Sequence, residues 1–74
     1  MLPDKNNPKW ISLLKGEINH NFKIVSASMM LSRLNRQLKR DDSKESIKSC
    51  IDEAYDFFKK FQNLFEEDLK EIFK

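Results

Sequence analysis

Arg40-Asp41-Asp42-Ser43 is the one strong break in this chain, and a helical pattern about 30 residues long lies on either side of it. Downstream, Ile47, Ile51, Ala54, Phe58, Phe61, Phe65, Leu69 and Ile72 recur at steps of three and four. Upstream, Ile24, Ala27, Leu31, Leu34 and Leu38 do the same. That alternation keeps side chains on one face of a helix, so each segment carries an apolar stripe that needs a partner. The pattern predicts an all-α antiparallel two-helix hairpin, with helices over about 8–40 and 43–73. A connection of two or three residues forces such helices to lie side by side.

Punctuation supports these limits. Residues 1–7 read as a flexible leader, and residues 8–74 as a single helical-hairpin domain. Asn7 followed by Pro8 makes a good helix start, because proline at the first helical position gives up an N–H that has no partner there. Gly16 falls inside the first helix and predicts a local kink or a close helix approach. Arg33, Arg36, Lys39 and Arg40 crowd its last turns, where cations suit the helix dipole. Asp42 with Glu45 three residues on has the form of a capping box.

Both helices carry more apolar residues than one stripe holds. Ile11, Leu14, Ile18, Phe22, Val25 and Met29 gather on a second side of the first helix, and Phe57 and Leu64 flank the main stripe of the second. A lone hairpin would leave these in water, and exposed apolar patches of that extent mark interfaces. The expectation is therefore a homodimer in which two hairpins pack as a four-helix bundle, with these eight residues at the interface. Another protein could cover the same surface.

Composition narrows the classes. Seventy-four residues allow one domain. The net charge of +2 is too small to argue for nucleic acid. It is also unevenly placed: residues 1–40 carry eight Lys/Arg and two acids, residues 41–74 six Lys and ten acids. A basic first helix beside an acidic second one favours antiparallel pairing. The Arg33, Arg36, Lys39 and Arg40 cluster has Asp41 and Asp42 beside it and no interleaved aromatic to stack a base, so nucleic acid is not an expected partner. No run approaches the roughly 20 apolar residues of a membrane span, and no secretory signal is read at the start. Cys50 is the only cysteine, so a reducing cytoplasm is the expected compartment and a buried, inert thiol the expected state. One His and one Cys in different helices do not make a metal site, and no cofactor is expected.

His20 is the one residue with a chemical alternative. In Glu17-Ile18-Asn19-His20-Asn21-Phe22-Lys23, the lysine lies one helical turn after the histidine, with small Ser26, Ala27 and Ser28 following. An imidazole can take a phosphoryl group, and a nearby cation can steady the product. The segment resembles histidine phosphotransfer domains and the dimerisation hairpins of sensor histidine kinases. That resemblance implies a His on a long bundle helix, with His20 accepting phosphate and Lys23 orienting it. It differs in having Ile24 where the phosphotransfer domains carry a glycine. The other expectation for His20 is a partly buried imidazole, level with Phe61 to Leu64, bonded to Glu17 or a neighbouring carboxylate. The function expected first is a non-catalytic protein-interaction module (adaptor, regulator or chaperone-like) acting as a dimer; the alternative is phosphotransfer on His20.

Overall fold

The computed structural model describes residues 2–74. Four helices follow in order: α1 (Lys9–Leu14), α2 (Val25–Arg40), α3 (Lys44–Lys60) and α4 (Glu66–Ile72), with no strand among the described residues. The all-helical class is as the periodicity predicts. The two long helices over 8–40 and 43–73 are not: each is broken once, over 15–24 and over 61–65. A helix spanning 8–40 would be about 50 Å long, whereas the longest dimension of the molecule is 31 Å.

The first break is built by Gly16. Its φ of +77° is the left-handed conformation that costs other residues energy. Around it, Glu17 N–H donates to the Ser12 carbonyl at 2.9 Å and Gly16 N–H to the Leu13 carbonyl at 3.2 Å. This is the paired hydrogen-bond pattern of a Schellman helix end, with glycine where that motif wants it. Gly16 thus stops α1 instead of kinking a longer helix. Asn35 then fixes the turn from the side, its Nδ2 donating to the Leu14 carbonyl at 2.9 Å. At the other end of α1, Asn7 Oδ1 accepts from Lys9 N–H at 2.9 Å, so the Asn-Pro start serves as expected.

Asp41-Asp42-Ser43 joins α2 to α3, and helices of 16 and 17 residues joined so closely lie antiparallel. Ser43 is the N-cap of α3, its hydroxyl accepting from Ser46 N–H at 3.2 Å. Asp41 Oδ1 accepts from Ser43 N–H at 3.1 Å and orients it. The cap is therefore Ser43 with Ser46, in place of the predicted Asp42–Glu45 box. Arg33 pairs with Glu53 across the two helices and sets their register.

The second break has a tertiary cause. The stripe Phe58, Phe61, Phe65, Leu69, Ile72 would continue along a straight helix, but α2 is too short to cover its far end. Folding back at Gln62-Asn63 buries Phe65, Leu69 and Ile72 against the core. Trp10 stands at the meeting point, fully buried, with ring centroids 4.7 Å from Phe73, 6.0 Å from Tyr55 and 6.1 Å from Phe58. Its indole N–H donates to the Asp4 carbonyl at 3.1 Å, which satisfies the one polar atom of the ring. Phe58 continues the cluster to Phe65 at 5.3 Å and Phe22 at 5.8 Å. The radius of gyration, 11.3 Å, is what a compact single chain of this length gives, about 11 Å.

Gly16→Ala is expected to lower stability by about 1–2 kcal/mol, the cost of a Cβ in the left-handed region. Steric crowding adds little, since the nearest atom to that Cβ is Asn35 Nδ2 at 3.7 Å. Chemical denaturation of the two proteins measures the difference; an unchanged midpoint would mean the turn does not hold this conformation.

Candidate functional site

Two features of the surface call for a chemical account: the contact between residues 15–24 and α4, and the exposed apolar side chains. His20 belongs to the first. It lies in the irregular segment between α1 and α2, not on a helix, so His20 and Lys23 do not share a helical face. The helical placement implied by the His-x-x-Lys resemblance is corrected, and Gly16 is the reason: it ends α1 before His20 is reached.

His20 Nε2 lies 2.8 Å from Asp68 Oδ1, and the two side chains are only 9 % and 5 % exposed. Nδ1 faces Glu71 Oε2 at 3.7 Å. The Phe22 ring packs edge-on against the imidazole at 4.7 Å between centroids. The expectation of a partly buried imidazole bonded to a carboxylate is met, with Asp68 as the partner in place of Glu17. One helical turn of α4 therefore presents two carboxylates to one imidazole. A buried Asp68 carboxylate without that donor would lose its hydration and gain nothing in return.

Lys23 forms the outer half of the same clasp. Its Nζ lies 2.6 Å from Glu67 Oε2, with both groups exposed. The hydrogen bond and charge of each partner hold the Glu67 carboxyl below its ordinary range and raise the Lys23 ammonium above its own. What this pair adds to stability is present at neutral pH and is lost as acid protonates Glu67. Being exposed, it contributes little beside the buried His20–Asp68 contact.

This geometry limits what His20 can do. Attack on phosphorus needs a ring nitrogen with its lone pair open to the donor. Here Nε2 is engaged by Asp68 and Nδ1 is turned to Glu71. A cavity of about 400 Å³ does lie beside the ring, lined also by Ser28, Ser32 and Asn35. Nδ1, at 3.7 Å from the exposed Glu71 carboxylate, is too far for a hydrogen bond and is the ring nitrogen left without a partner among the described residues. Cys50 is withdrawn: it is fully buried, and burial, with the Glu53 carboxylate adding to it, pushes its thiol up. Among the described residues no group of His, Cys, Asp and Glu could hold a metal ion. No helix among them is long and apolar enough to cross a membrane.

The second feature is apolar. Of the eight residues expected at an interface, Leu14 is fully buried in the chain's own core and offers a partner no surface. Ile11, Ile18, Phe22 and Phe57 are half-buried against that core. Only Val25, Met29 and Leu64 stand out, at 68 %, 66 % and 60 % exposed, joined by Phe61 at 36 %. Phe61 belongs to the main apolar stripe by its spacing, and the break at 61–65 is what turns it outward. Val25 and Met29 are one turn apart on α2, far round the helix from buried Ala27 and Leu34. With Arg33 opposite Glu53, Met29 falls level with Phe57 and Val25 with Phe61. The four exposed residues thus lie at a similar level along the helices, Val25 and Met29 on the outer face of α2 and Phe61 and Leu64 at the end of α3.

No family model, curated protein or solved structure matches this chain.

His20→Ala is expected to destabilise the protein by about 1–3 kcal/mol, the penalty for leaving a buried acceptor without its donor. The loss should fall on α4 first, read as faster amide hydrogen exchange over residues 66–72 than over α3. Uniform loss across all helices would show that the clasp does not act locally.

Proposed function

We propose that this chain is a small non-catalytic helical protein-interaction module acting as a homodimer: an adaptor, regulator or chaperone-like subunit. The observation that carries this reading is the exposure of Val25, Met29, Phe61 and Leu64, large apolar side chains on the outer face of α2 and at the end of α3. Water penalises such exposure, and a second copy presenting the same side chains removes the penalty on both sides through a two-fold axis. That pairing would bring four long helices together, α2 and α3 from each copy. The buried Cys50 thiol is no exposed nucleophile, and a single buried cysteine suits a reducing cytoplasm. A phosphotransfer role for His20 would have to use Nδ1, since Nε2 is held by Asp68.

Analytical ultracentrifugation tests the proposal directly. A dimer is expected at micromolar concentration, with Met29→Glu and Leu64→Glu each weakening it by more than about tenfold, as charges buried in an apolar contact do. Both positions are exposed, so the variants should keep the helical circular dichroism of the parent. A parent chain that stays monomeric at about 100 μM would overturn the dimer, since contacts weaker than that are marginal.

A further inference from the structure

A second apolar feature lies at the opposite end of α3 from Phe61 and Leu64 and plays no part in the proposed dimer. Ile11 of α1 with Ile47 and Ile51 of α3 floors an open groove of about 680 Å³. Such a volume is within the usual range for small-molecule sites, about 300–1,000 Å³. Along α3 it runs from Lys44 to Asp52, about 12 Å at the helical rise.

The charges on its rim are unequal in their commitments. Lys5 lies 3.1 Å from Asp52 and 4.9 Å from the centre of the Tyr55 ring, so those two ions satisfy one another at one end. Lys44 and Lys48, one helical turn apart over the half of the groove away from Asp52, make no ion pair or side-chain hydrogen bond among the described residues. Asp4 is the only other acid on the rim. The groove is thus greasy along its length and cationic over one half.

We propose that it binds a single-chain amphiphile, with a carboxylate head between Lys44 and Lys48 and a saturated tail over Ile47, Ile51 and Ile11. With the head midway between the two lysines, about 9 Å of the run remains, enough for about seven extended carbons, and a longer tail turns over Ile11. The floor favours such a tail over a peptide. A peptide laid there would leave backbone N–H and C=O groups against isoleucine with no partner, at a cost that methylenes do not incur. This site does not depend on self-association, and its failure would leave the proposed dimer intact.

The test is a titration of isotope-labelled protein with decanoate below its micelle concentration, followed by NMR. The expected result is saturable one-to-one binding that shifts the methyl groups of Ile11, Ile47 and Ile51. Lys44→Glu combined with Lys48→Glu should weaken decanoate by about tenfold or more while changing decanol by less than about twofold, because only the acid has a charge to lose. Both lysines are exposed, so the double variant should fold. Three results would overturn the proposal: no saturable shift, shifts confined to Val25, Met29 and Leu64, or equal weakening of decanoate and decanol. Tighter binding of an acidic, leucine-containing peptide than of decanoate in the same groove would overturn it too, assigning the groove to a protein partner.

Discussion

An indole buried on every side has to be enclosed by more surface than two helices present. Trp10 is that indole, and the chain closes round it from three directions: Phe58 and Tyr55 from α3, Phe73 from the end of α4, and the Asp4 carbonyl from the leading segment. Enclosing a ring of this size is worth on the order of 4 kcal/mol by buried area, a large share of what so small a domain commands. Both breaks in the helical pattern serve this enclosure. Ending α1 at Gly16 lets the segment carrying Trp10 lie across α2 and α3, and folding at Gln62-Asn63 brings α4 over the remaining side. The surplus of apolar residues over what a hairpin can hide is real, and the chain hides most of it within itself.

The parts legible in sequence were those fixed by local chemistry. The turn at Asp41-Asp42-Ser43, the end of α2 and the start of α3 on either side of it and the Asn7-Pro8 start follow from capping groups and periodicity, which act over a few residues. Gly16 was visible too, but a lone glycine reads equally as a kink or a stop. What decides is whether two residues beyond it can close the Schellman hydrogen bonds, and that depends on where the chain goes next. The break at 61–65 left no mark on the pattern, because Phe58, Phe61, Phe65, Leu69 and Ile72 keep helical spacing straight through it. Periodicity reports which face is apolar and is silent on whether the helix continues. Gln62-Asn63 is a mild local weakness that tertiary burial exploits.

The same limit governs the site. Register counting across a straight hairpin places His20 opposite Phe61 to Leu64, and its carboxylate partner is a few residues further on, at Asp68, because α4 has folded back. For the interface residues the effect is larger. Leu14 and its stripe neighbours looked surplus only against a two-helix count; with α1 and α4 packed in, exposure contracts to Val25, Met29 and Leu64, and Phe61 joins them. A stable protein–protein contact buries about 1,200–2,000 Å² in total. In the proposed dimer four side chains would supply the anchoring centre of such a contact, and the polar rim around them would have to supply the remainder.

The clasp and two of the exposed side chains are mechanically joined. Leu64 and Phe61 sit in the turn between α3 and α4, so their position is set by how α4 is held. No pairing of α4 with another helix is extensive, and its hold comes from Phe65, Leu69 and Ile72 in the core together with His20–Asp68 and Lys23–Glu67 at its surface. Val25 and Met29 stand on α2, and Phe61 and Leu64 in the turn before α4, so two separately held elements present the exposed side chains. The second is tied down by the buried imidazole–carboxylate contact as well as by its own core residues.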